Sequence, residues 1–342
     1  MPPPVSPTDV YAAAGPGMLS PTVRGDRPLV YVPDTKSNDV YVIDQHTMRV
    51  INRFPVGREP QHVVPSYDLK TLYAVADAVP GGSLTPIDPK NGKPGRPIAV
   101  QDPYNMYFTP DGRYAIVVAE AYRRLDFYNP HTWRREHSLF LPQCGGVDHM
   151  DFTANGRLLL ASCEFSDRMV VVDVEHRRLV RTIDLPQRSD GMPQDVKLSP
   201  DGKVFYVADM VANGVYLIDG AATHVLRFQP TGVGAHGLYV DRTGKRLFVT
   251  NRGEGSITVV DLATRRPMAK WRIPGGGSPD MGNLSADGKV FWVSGRYNNV
   301  VYAISTADGH LIKKIPVGTG PHGLCVWPQP GRYSLGHTGI TR

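Results

Sequence analysis

Four histidines recur along the chain at nearly equal steps. His62, His149, His236 and His322 are 87, 87 and 86 residues apart by subtraction of their numbers. Neutral imidazoles that converge from several directions are ligands for iron, copper, zinc or nickel. Asp148, Asp195 and Asp280 fall at related positions, where carboxylates would orient the rings from behind, as metal-bound imidazoles require. The spacing predicts one transition metal held by the four histidines, iron or copper before zinc. A haem-like group is a less favoured occupant.

Another recurring set carries charge: Asp34, Asp77, Glu120, Glu164, Asp209, Arg252 and Arg296. Carboxylates occupy one part of this series and two arginines the other. Arg252 and Arg296 are suited to grip a carboxylate or phosphate of a substrate. Glu120, Glu164 and Asp209 are candidates for proton transfer, and Tyr104 for lining the substrate site.

A plainer reading stands beside this one. Histidine in the tripeptides Ala235-His236-Gly237 and Pro321-His322-Gly323 also serves to cap a turn or bond neighbouring backbone. His62 and His149 are displaced by one position relative to His236 and His322. A one-residue shift in a regular strand reverses the face, so the four meet only if the preceding loops absorb it. His46, His131, His137, His176, His224 and His310 fall in outer turns or strands, where surface placement is expected. His337 lies in a terminal segment and receives no place.

What positions these residues is a sevenfold repeat. Its copies begin at Gln61, Tyr104, Asp148, Gln194, His236, Asp280 and His322, at steps of 43, 44, 46, 42, 44 and 42 residues by subtraction. Short alternating runs such as Val204–Ala208 and Gly214–Asp219 read as half-buried strands. The pairs Asp111-Gly112, Asn155-Gly156, Asp201-Gly202 and Asp287-Gly288 are hairpin turns. A steady period in the forties built from short strands predicts an all-β, seven-bladed propeller, one four-stranded blade per repeat. Leu29–Val56 reads as strands B, C and D without A, and His322–Pro328 as a strand A alone. Joined, they complete the seventh blade and leave no free edge. The expected division is therefore a flexible extension over 1–28, a propeller over 29–330 and a tail over 331–342. In such a ring strand A lines the channel, and the starts of strands A and the ends of strands B emerge on one face, which is where ligand sites gather.

The runs VYVPDTKSNDVYVID, LFVTNRGEGSITVVDLAT and IPVGTGPHGLCV resemble the YVTN-type β-propeller repeat, and the resemblance extends from Leu29 to about Pro328. It implies a seven-bladed ring and permits a central cofactor, since relatives include propellers similar to the haem-binding ones of nitrite reductases and the copper-holding ones of nitrous-oxide reductases. It carries no catalytic motif that can be matched residue by residue. Carotenoid-cleaving oxygenases are similar in architecture, with four histidines on the channel axis, but their motifs are absent here.

Composition bounds the rest. The 342 residues carry a net charge of +6, yet the basic residues are dispersed and no nucleic-acid motif is present. No stretch approaches a transmembrane span. Neither nucleic acid nor membrane is expected as a partner; a small anionic molecule is, and a protein partner remains open. The three cysteines, Cys144, Cys163 and Cys325, are odd in number and match no zinc spacing, so free thiols are expected. With no basic, then apolar, segment at the start, the expected location is cytoplasmic. Three functions compete. The leading one is a metal-dependent oxidoreductase acting on a small anionic substrate at the channel mouth. The second is a propeller that binds a ligand or partner without turnover. The third is a metal-free lactonase or hydrolase using the same histidines, arginines and glutamates.

Overall fold

The computed structural model describes residues 2–342. Seven antiparallel sheets form the blades of a propeller. The strands nearest the channel, such as Val147–Phe152, Pro193–Leu198 and Pro279–Leu284, are buried at every position. The outermost, such as Arg178–Asp184 and Arg266–Arg272, are largely exposed. This gradient explains their composition: the inner strands are bounded on both faces by neighbouring blades, whereas the outer ones carry arginine and lysine that protect the sheet edge.

The ring closes as the repeat pattern requires. Cys325–Trp327 pairs with Leu29–Asp34, which pairs in turn with Asp39–Asp44 and Arg49–Pro55. The hairpins turn where Asp-Gly predicts: Gly202 takes φ 68°, and the Asp201 carboxylate accepts from the Ser199 hydroxyl and the Lys203 amide.

Both terminal segments pack on the ring. In the N-terminal one, Val23 is buried beside Trp327, whose indole N–H donates to Asp26 at 2.8 Å. In the C-terminal one, Leu335 and Ile340 join a core with Tyr107 and Phe152, and Arg342 donates to Asp151 at 2.9 Å. Among the described residues no helix is long and apolar enough to cross a membrane.

The cysteine expectation is corrected. Cys144 and Cys163 form a disulfide, and Cys325 alone is a free, buried thiol. Cys163 ends the second strand of its blade directly opposite Val147, which starts the first. The hairpin therefore carries Cys144, three residues before Val147, back to Cys163.

Candidate active site

The inner strands start irregularly, Cys325–Trp327 excepted, and this re-aims the side chains at their entries. Register skips occur between Pro60 and His62, Val147 and Met150, Ala235 and Leu238, and Pro279 and Gly282. Such bulges re-aim side chains and free backbone amides from the ladder. Hydroxyls of the next strand take up those amides: Ser162 accepts from His149 N–H at 3.1 Å, Thr250 from Gly237 at 2.7 Å and Ser294 from Met281 at 3.2 Å. The one-residue displacement is thereby absorbed, and all four repeat histidines enter the channel. They are almost fully buried.

They fall into two groups. His236 and His322 share Asp280. His322 Nδ1 lies 2.7 Å from Asp280 Oδ2, and His236 Nδ1 lies 3.1 Å from Oδ1. Arg252 Nη1 donates to Asp280 Oδ1 at 3.0 Å and to His236 Nε2 at 3.1 Å, while Arg296 Nε stands 3.9 Å from Oδ2. Burial opposes a charge on Asp280, but His236, Arg252 and Arg296 outweigh it and hold the carboxyl below its usual range. Burial, reinforced by Arg296, keeps His322 neutral well below the ordinary imidazole range. With Nδ1–H donated to Asp280, its Nε2 presents a lone pair toward Tyr104 Oη at 3.4 Å.

His62 and His149 lie deeper, and the terminal segment adds a fifth ring. His337, whose amide donates to Met106 C=O at 2.9 Å, sits 4.8 Å from His149 and 5.3 Å from His62 between ring centroids. His62 in turn is 4.9 Å from His322. Gly323 permits this approach, since a Cβ there would overlap the His62 imidazole.

Above these rings a cavity of about 330 Å³ opens at the channel mouth, lined among others by Tyr104, Glu120, Glu164, Arg252, Arg296 and His322. Burial, then repulsion from Glu164, pushes Glu120 up to about 8. Burial also raises Glu164. Glu120 is therefore poised as a proton donor near neutral pH, and Glu164 is shifted in the same direction. Arg296 is oriented by Thr35, to which Nη1 donates at 3.1 Å, and Arg252 lies against the exposed Tyr297 ring. A larger hollow, about 660 Å³, opens on the turns beside Arg157 and Arg177 and brings no buried base with it.

The remaining candidates have other surroundings. Asp209 accepts from the amides of Met192, Val211 and Ala212 and so pins a loop outside the cavity. Asp195 accepts from Val196 and Leu238 amides, tying neighbouring blades. Asp148 is buried with Oδ1 3.2 Å from His149 Nε2. His46, His131, His176, His224 and His310 are exposed, and His137 is half-buried.

Solved structures share this architecture. The periplasmic gluconolactonase of Pseudomonas aeruginosa superposes with a TM-score of 0.72 at 18% identity, over 89% of this chain and 99% of that one. A putative 6-phosphogluconolactonase from Bacteroides uniformis gives 0.70 at 17% identity, over 87% and 99%. The dihydro-heme d1 dehydrogenase NirN gives 0.65 at 16% identity, over 94% and 81%. No curated protein matches in sequence.

The metal-dependent oxidoreductase expected from the four histidines is corrected: the solved structures that share the fold include lactonases. The site supplies a physical reason. His236 Nε2, the atom that would have to bind the ion, already receives the Arg252 guanidinium, and a fixed positive charge there repels a cation. The YNCE-like beta-propeller pattern matches residues 22–330, and the chain belongs to that family.

Proposed function

We propose that the protein is a lactonase-type hydrolase that opens the ring of a small anionic lactone without the help of a metal. The observation that carries this reading is the 2.7 Å contact between His322 Nδ1 and Asp280. It leaves a neutral, oriented imidazole facing a cavity that also holds two guanidiniums and two carboxyls whose proton affinity burial raises.

In the proposed reaction His322 Nε2 removes a proton from water, and the hydroxide oxygen bonds to the lactone carbonyl carbon. Asp280 stabilises the imidazolium that forms, as a carboxylate does in other His-assisted hydrolyses. Arg296, with Arg252 beside it, binds the substrate's anionic group and the oxygen that gains charge. The ring C–O bond then breaks, and Glu164 or Glu120 donates a proton to the departing alkoxide. The product is the open hydroxy acid, and the proton taken by His322 returns to the carboxylate left behind or to solvent. The cavity suits a molecule of sugar-acid size, and lactones of sugar acids carrying a phosphate or carboxylate are the favoured class. The gluconolactonase and phosphogluconolactonase neighbours support that choice.

The buried Cys144–Cys163 disulfide supports residence in an oxidising compartment, where such bonds persist. The deciding experiment is acid release from a panel of sugar-acid lactones, followed by pH-stat in the presence of chelator. Hydrolysis above the spontaneous rate, lost in His322→Asn, supports the reading. Tight lactone binding without acid release would make the protein a binder instead.

A further inference from the structure

The structure points to a second, separate use of the deeper histidines. We propose that His62, His149 and His337 bind one divalent first-row transition ion, which fastens the C-terminal segment into the channel and takes no part in turning over the substrate. This site is independent of the lactonase reading.

Three observations carry the proposal. One nitrogen from each ring lies within 4.8 Å of the other two. The Nε2 atoms of all three residues are buried and have no hydrogen-bond partner, a costly arrangement for polar atoms unless something binds them. Both oxygens of Asp148 are buried and unpartnered as well. Its Oδ1 stands 3.2 Å from His149 Nε2, which is the separation of two donors around one ion.

The other side of each ring is already held, as metal-bound histidines require. His62 Nδ1 meets the Tyr104 carbonyl at 3.0 Å. A carbonyl only accepts, so Nδ1 carries the hydrogen and Nε2 offers a lone pair. Asn105 meets His149 Nδ1 at 3.1 Å and His337 Nδ1 at 3.0 Å through its amide nitrogen. In that orientation the two rings carry hydrogen on Nε2. A half-turn of the carboxamide presents its oxygen instead, and the hydrogens move to Nδ1. Each ring stays neutral, and both Nε2 atoms become donors. Loading the ion therefore turns Asn105 over, releases no proton from these two rings, and gives up the bond that Asn105 Oδ1 accepts from the Met106 amide at 2.8 Å. With metal–nitrogen bonds of about 2.0–2.1 Å, donors around a tetrahedral ion are roughly 3.4 Å apart, so the widest pair closes by about 1.4 Å. Asp148, beside His149, balances the charge of the ion.

The site ties distant parts of the chain together. His62 and His149 belong to two different blades, whereas His337 comes from the segment beyond the last strand. An ion there resists withdrawal of that segment, by mass action on the folded state.

Cobalt(II) is the probe, because its visible d–d bands intensify on tetrahedral binding. Protein without a polyhistidine tag is unfolded, refolded with cobalt and desalted, so that burial does not block access. We expect one cobalt per chain, intense d–d bands and a higher melting temperature. The His337→Ala and His149→Gln variants should lose the bands while refolding to the wild-type circular dichroism spectrum. Absence of retained cobalt in refolded wild type overturns the proposal, as does an unchanged cobalt spectrum in folded His337→Ala. Neither readout involves a lactone, so failure here leaves the hydrolase reading untouched, and failure of hydrolysis leaves this site untouched.

Discussion

Asp280 and His322, 42 positions apart and at the same place in successive repeats, meet at 2.7 Å in the channel. The pairing joins neighbouring blades, so the base and the carboxylate that orients it are never part of the same sheet. His322→Asn should reduce kcat on the best lactone by about 10²- to 10⁴-fold, the usual contribution of a general base. Asp280→Asn should reduce kcat and also shift the acid limb of the pH profile, because the carboxylate that holds the imidazole is gone. Wild-type kcat in either variant would remove both residues from the mechanism.

Arg296 tests how the substrate is held. It faces the cavity and leans on Thr35 alone among hydroxyls, whereas Arg252 also supports His236 and Asp280. Arg296→Ala should raise KM for anionic lactones about 10- to 100-fold, the loss of a charged hydrogen bond. KM for a neutral lactone should change little, and equal losses for both substrates would argue against anion recognition.

The pH profile has a predicted alkaline limb. Burial and Glu164 raise Glu120 to about 8, so the carboxyl is protonated below that pH and loses its proton above it. If protonated Glu120 serves the leaving group, kcat/KM falls as pH rises through about 8. Glu120→Gln, which cannot donate in the same way, should be slower and should lack this limb.

Stability should fall over the same range. Burial first, then Asp39, raises Asp34 to about 8, and burial raises Asp77 to about 7. A carboxyl with a raised folded-state pKa contributes stability that is complete below its unfolded value near 4 and disappears as pH rises through the folded value. The melting temperature is thus expected to decline from about pH 5 to pH 9, and Asp34→Asn should flatten that decline. A wild-type melting temperature that rises across this interval would contradict the assignment.

The disulfide can be tested directly. Cys144→Ser with Cys163→Ser removes a crosslink spanning 19 positions and should cost about 3 kcal/mol by the loop-closure estimate. Denaturant unfolding of oxidised and reduced wild type supplies the comparison, and identical midpoints would show that the thiols are unlinked in solution.

Much of the architecture was legible in the residues. The period, the alternation within runs such as Val204–Ala208, and the missing strand before Leu29 together specify seven blades and their closure, because register and burial leave few alternatives. The gathering of Glu120, Glu164, Arg252 and Arg296 at one mouth follows from the same repeat. What lay beyond reach depends on departures from regularity. The bulges at Ala235/Leu238 and Pro279/Gly282 decide that His236 and Asp280 turn toward each other, and a bulge is invisible when strands are read at period two. Ser162, Thr250 and Ser294 were the available signal, each a hydroxyl just before the end of a second strand. His337 stands outside the repeat, so no periodicity could place it. Cys144 and Cys163 were a missed signal of another kind, since they flank the two ends of one hairpin.

The late position of strand Cys325–Trp327 has a consequence for synthesis. Blades are completed in order as the chain leaves the ribosome, but Leu29–Asp34 must wait with an open edge for almost three hundred residues before its partner is made. His322 arrives in that same final stretch. A nascent chain that stops short of His322 therefore holds Asp280 and both arginines in place while lacking its imidazole, so completion of the proposed site and closure of the circle come about together.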